Sequence, residues 1–201
     1  MKQELETLQE IRNLMERSSR FIGLSGWSGI AAGCCALIGA SLAYPIVSDR
    51  LETGEYYSGQ ELTTLLLIGS GTFIAALISA FIFTYAKSRK TNTPVFGKTS
   101  KRLTWTVIVP IFVGGIFLLK LISQGLYGLV APGCLIFYGI ALFATGKQTV
   151  NETRYLAYCE IILGCISLWK IGYGLYFWAI GFGLFHILYG ARMWYKYDRN
   201  R

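Results

Sequence analysis

Two side chains able to carry a proton stand inside stretches otherwise suited to lipid. The segment TRYLAYCEIILGCISLW, residues 153–169, holds Glu160 near its middle, and GFGLFHILYG, residues 181–190, holds His186, the single histidine of the chain. An isolated carboxylate in hydrocarbon costs about 2.5–3.5 kcal/mol on insertion scales. It escapes that cost by taking up a proton, or by sharing one with an imidazole that gains from a nearby anion. Such a couple could serve as a proton relay, as part of a solute pathway, as a partial metal site or as a structural clasp between helices. The residue types alone leave these readings open.

Helical spacing says where the two groups point. Steps of three and four from Glu160 reach Thr153, Ala157, Gly164 and Ser167, and from His186 they reach Ala179, Gly183 and Gly190. Both stripes are small, and small residues line helix–helix seams in membranes because they let backbones approach. Glu160 lies six residues beyond Arg154 and His186 six before Arg192, so each sits about 9 Å inside the same boundary at 1.5 Å rise per residue. We therefore expect Glu160 and His186 to meet and hydrogen-bond, with Thr153, Ser167 and Tyr189 as supporting polar groups. Cys159 and Cys165 could add thiolates, but Cys159 adjoins Glu160 and so points elsewhere. No metal ligands and no cofactor are expected: one histidine permits bis-His haem only across a dimer.

The elements that must position this pair follow from composition. Of 201 residues, 53% are hydrophobic and only 15% charged, and the charges gather between long apolar runs. Runs of about 20 helical residues cross a hydrocarbon layer. Six appear, at about 21–47, 63–86, 103–119, 125–145, 153–169 and 172–194, the third and fifth being short. They are too long and continuous for barrel strands. The sequence thus predicts an all-α, polytopic six-transmembrane-helix bundle, preceded by an amphipathic helix over 1–20 and followed by a basic tail over 195–201. The first span has no convincing cleavage site and reads as retained.

Orientation rests on Lys and Arg. Sixteen of the 19 basic residues fall on the side shared by the termini, the second loop (KSRKTNTPVFGKTSKR), the fourth loop and the tail, leaving Arg50, Lys120 and Lys170 opposite. Both termini are then cytoplasmic and the protein lies in a plasma membrane. The five cysteines (Cys34, Cys35, Cys134, Cys159 and Cys165) fall inside spans, where no disulfide framework is indicated. The sequon Asn151-Glu152-Thr153 falls on the cytoplasmic side and is discounted.

Short connections at 120–124 and 170–171 make hairpins of spans three and four and of spans five and six. Shifted by 50, IFVGGIFLLK (111–120) overlays IILGCISLWK (161–170), and IAAGCCAL (30–37) is a fainter echo, which suggests three helical hairpins of one design. In the preceding hairpin Pro110 takes the place of Glu160 and Phe137 that of His186, so the pair is an addition to the scaffold. Gly29-x3-Gly33 and Gly71-x3-Ala75-x3-Ser79 read as packing seams within the bundle, with a homo-oligomer as the other use. Pro45, Pro110 and Pro132 are candidate helix ends or kinks. Trp105, Trp169, Tyr173, Trp178 and Trp194 fit interface anchors.

The hairpin GCISLWKIGYGLYFWAIGFGLFHILYGA and its partner GGIFLLKLISQGLYGLVAPGCLIFYGIALF resemble the HdeD-like family of small bacterial membrane proteins associated with acid resistance. The resemblance covers the last hundred residues and rests on glycine and aliphatic spacing. It implies a plasma-membrane, stress-related or accessory role and transfers no site. The chain carries no P-loop, G-x-S-x-G or H-E-x-x-H, and no enzymatic activity is expected. The leading expectation is a non-enzymatic accessory protein that meets the bilayer and a cytoplasmic protein partner through residues 1–19, with no nucleic acid as partner. The alternative is a compact transporter or proton-conducting protein using Glu160 and His186.

Overall fold

A computed structural model describes residues 25–54, 56–91, 98–146 and 149–199. The amphipathic helix expected over 1–20 and the end of the basic tail lie outside the described residues. All regular structure among the described residues is helical: α1 (Gly26–Thr53), α2 (Gly59–Thr91), α3 (Lys98–Ser123), α4 (Val130–Ala144), α5 (Asn151–Leu168) and α6 (Gly174–Asp198). Five of these, all but α5, belong to stretches long and apolar enough to cross a membrane. α5 alone misses that measure, because Glu152, Arg154 and Glu160 burden its 18 residues. Pro45 and Pro110 stand inside helices that continue past them, and Pro132 lies in the first turn of α4. None of the three ends a helix.

The two short connections turn on glycines. Gly125 (φ +74°) follows α3 and Gly172 (φ +99°) follows α5, in the left-handed region that only glycine adopts at little steric cost. The chain therefore reverses twice within a few residues, setting α4 beside α3 and α6 beside α5.

Broad seams also join helices of different hairpins, α1 to α6 and α4 to α5. On the first, glycine faces glycine: a Cβ on Gly29 would stand 2.9 Å from the Gly190 Cα, and one on Gly33 2.6 Å from the Gly183 carbonyl oxygen. On the second, a Cβ on Gly139 would stand 2.6 Å from Ile161 and one on Gly164 2.7 Å from Ile136. In lipid, apolar contact with a neighbour helix gains little over contact with acyl chains, so close backbone approach supplies the association. Helix α6 joins the two groups, touching α1 on one side and α4 and α5 on the other. α2 and α3 are outer helices, packed on α1 and α4 respectively.

Gly29 and Gly33 thus serve a seam within the bundle. Gly71 and Ala75 do not: both are exposed, and a Cβ on Gly71 would meet nothing within 4 Å. At Gly39 of α1 the residue of α2 that fills the space is Thr72.

Charges gather at the two ends. At one, Arg50 bonds Glu61 through Nη2 at 2.6 Å and Nε at 3.1 Å, and the Ser58 backbone N–H donates to the other Glu61 oxygen at 2.7 Å. The Arg50 hydrogen bond, ahead of those from Ser58, holds the Glu61 carboxyl at about 2, below its ordinary value of 4.5. At the other end Asp198, in the last turn of α6, accepts from the Gly26 backbone N–H at 2.8 Å and pairs with Lys87 of α2 at 2.8 Å. One carboxylate there caps the first helix and ties it to two others.

Candidate functional site

The face of α5 turned to the bundle follows the spacing of three and four. Glu152, Thr153, Leu156, Ala157, Glu160, Gly164 and Ser167 are buried, while Tyr155, Tyr158, Ile162 and Ile166 face outward. Cys159 and Cys165 are exposed and take no part. Glu160 is therefore placed by its neighbours: small residues before and after it let α4 and α6 close over the stripe.

His186 reaches the same place from α6. The turns before it, Ala179–Phe185, are π-helical, a widened form rare in proteins and frequent at functional sites. Trp178, Phe182 and His186 stack along one side at steps of four, with ring centroids 5.2 Å and 5.9 Å apart. Tyr138 of α4 completes the shelf, its ring 5.1 Å from Phe182 and 5.3 Å from His186.

Both ring nitrogens are engaged. Nε2 stands 2.7 Å from the Tyr138 hydroxyl and Nδ1 3.1 Å from the Gly181 carbonyl oxygen. A neutral imidazole satisfies both with its proton on Nδ1, donating to Gly181 and accepting from Tyr138 at Nε2. Neither signal was visible in the sequence: Tyr138 is one of 13 tyrosines, and the Gly181 carbonyl comes into range only through the widened turn.

Glu160 lies against this ring. Its residue exposure is 0%, and Oε1 is 3.5 Å from His186 Nδ1. The expected hydrogen bond between them is not formed, because the Gly181 carbonyl occupies the donor direction of Nδ1. Both Glu160 oxygens are without a hydrogen-bond partner. Gly181 also makes the room they need, since a Cβ there would stand 2.6 Å from Oε2 and press on Leu135.

Such a carboxyl has two consistent states. It can hold its own proton beside the neutral ring. Alternatively, it can be an anion beside an imidazolium, with the second ring proton on Nε2 and Tyr138 turned from donor to acceptor. The two differ only in where one proton resides, and the separation of 3.5 Å is short enough that a small approach closes it.

The supporting residues divide. Thr153 and Tyr189 are brought together, Oγ1 to OH at 3.2 Å, about one turn away from His186 toward Asn151. Ser167 lies in the other direction, about 10 Å along α5, buried and with its hydroxyl unpartnered. It does not join the cluster. Near Thr153 is a second buried acid that reading by motif had reduced to a sequon. Glu152 accepts from Lys196 Nζ at 2.6 Å and the Tyr197 hydroxyl at 3.1 Å, with Arg192 Nε at 3.9 Å. Burial pushes its carboxyl up, but the hydrogen bonds from Lys196 and Tyr197 outweigh it and the net shift is downward. The spacing of Glu152 and Glu160 on one stripe was the available signal.

No group of three or more His, Cys, Asp and Glu side chains is placed to hold a metal ion among the described residues. Compared with family models, with curated proteins and with solved structures, the chain matches none.

Proposed function

We propose that the chain is a six-helix integral membrane protein with both termini on the cytoplasmic face, and that it conducts protons or a proton-coupled solute. Glu160 is the group that loads and releases the proton, and His186 its exchange partner. The observation that carries this reading is the Glu160 carboxyl itself: wholly enclosed between helices, beside an imidazole, with neither oxygen partnered. A carboxyl kept as a clasp ends hydrogen-bonded, as buried polar groups ordinarily do, and Glu152 is the example two turns away. The excess of Lys and Arg at one end supports the orientation. Although α5 falls short as an independent span, packing against α4 and α6 relieves its charges, so it can cross with them. The accessory reading depends on residues 1–19, which lie outside the described residues.

The test is flux into proteoliposomes loaded with a pH-sensitive dye. We expect the parent to dissipate an imposed pH gradient, and Glu160→Gln and His186→Ala each to slow it about 100-fold, the order that one positioned acid–base group contributes. Parent and variant traces that superimpose would remove the proposal.

A further inference from the structure

Among the described residues the hydrogen-bonded polar side chains of the seam lie to one side of Glu160. Toward Asn151 and Asp198 the interhelical seam carries, in order, His186 with Tyr138, then Tyr189 with Thr153, then Glu152 with Lys196 and Tyr197. Thr153 and Glu152 are 4% and 3% exposed, so these are seam groups and not surface ones. Tyr189 follows His186 by three residues on α6, which sets their Cβ atoms about 5–6 Å apart. In the opposite direction the groups around Glu160 are Leu135, Leu163 and Gly181, and the only buried polar side chain beyond them on α5 is Ser167.

We infer that the proton loading Glu160 enters from the end of the bundle that carries Glu152, and that Tyr189 and Thr153 hand it inward to His186. The inference rests on the proposed loading role of Glu160. Glu152 marks that end of the path: it is a buried carboxylate faced by Arg192, Lys196 and Tyr197 of α6 and by Tyr189, and it stays ionised on those partners without itself carrying the proton. Glu160 is faced by Tyr138 of α4 and His186 of α6. In the transfer a hydronium at that end gives a proton to the Thr153–Tyr189 hydroxyl pair and leaves as water. Each hydroxyl of the Thr153–Tyr189 pair then accepts one proton on oxygen and releases one, so neither changes its count. The Tyr138 hydroxyl, bonded to Nε2, takes up that proton and gives its own to Nε2, and the resulting imidazolium passes its Nδ1 proton to Glu160 Oε1. The path ends with the imidazole neutral, its proton now on Nε2 and donated to the Tyr138 oxygen, and one new O–H bond on Glu160.

The experiment uses the full chain in vesicles of uniform orientation, with infrared difference spectra after a rapid pH jump on one face at a time. The Glu160 carboxylic C=O band is identified by its loss in Glu160→Gln. We expect it to respond about tenfold faster to a jump at the Glu152 face than to one at the other, and Tyr189→Phe and Thr153→Val each to remove most of that difference. A band that answers both faces equally, or that keeps its rate in both variants, overturns the route while leaving the loading role intact. Absence of any titrating band that Glu160→Gln removes overturns the loading role and the route with it. Melting curves matching the parent show that Tyr189→Phe and Thr153→Val have not simply unfolded.

Discussion

Glu152 and Glu160 lie on the same buried stripe of one helix, about two turns apart, and the bundle treats them differently. Glu152 is met by an ammonium, a phenol and a nearby guanidinium. Glu160 is met by leucines, a glycine and the edge of an imidazole already bonded at both nitrogens. Burial does not separate them, since both are almost fully enclosed. Partner accounting does. A carboxylate whose oxygens are all engaged holds helices together; one whose oxygens are free has an unmet capacity, and in a hydrocarbon setting a proton is the smallest thing that meets it.

The contrast is sharpest in function. Glu160→Gln should reduce proton flux about 100-fold without lowering the melting temperature, because the uncharged amide removes the cost of a charge in hydrocarbon. A drop in melting temperature matching the loss of flux would return Glu160 to the same class as Glu152. Next comes the space around the acid. Gly181→Ala adds a Cβ 2.6 Å from Glu160 Oε2, and overpacking of this kind costs about 1–3 kcal/mol. Thermal unfolding should show it, and no comparable cost is expected for Cys159→Ala on the exposed face. Smaller still is the effect of Lys196→Ala, which leaves Glu152 to Tyr197 and Arg192 and should lower the melting temperature modestly, with Lys196→Arg restoring part of it.

The acid dependence follows from Glu152 and Glu61. Both carboxyls are lowered from their ordinary 4.5, Glu61 to about 2. A group lowered in the fold contributes stability that is fully present above 4.5 and is lost as pH falls through the folded value. Melting temperature should therefore be flat from pH 7 to about 5 and decline below that, Glu61 still giving way as pH nears 2. In Lys196→Ala the upper part of the decline should shrink, since Glu152 has then lost its strongest partner.

Much of this was legible in residue spacing. The inward stripe of α5 and the placing of Glu160 opposite His186 follow from a period of 3.6 and from which residues are small. The helical architecture follows from run length, although charge on α5 separates it from the other five. Tyr138 was not legible, because which tyrosine reaches a ring on another helix depends on how α4 docks. Nor was the Gly181 carbonyl, whose position depends on a local change in helix pitch. The outward turn of Gly71 and Ala75 was not legible either: the stripe was read correctly as small, but Thr72, next to it, is what meets Gly39 of α1.

Asp198 carries a consequence for biosynthesis. It closes the first turn of α1 from a position 172 residues later in the chain, and Gly26, Gly29 and Gly33 of α1 find their counterparts on α6. During translation the first helix must wait, uncapped and with its seam unfilled, until the last one emerges. Ribosomes that stop short of α6 would release a product in which α1 keeps its contact with α2 but one glycine face lies bare, a ready mark for quality-control proteases.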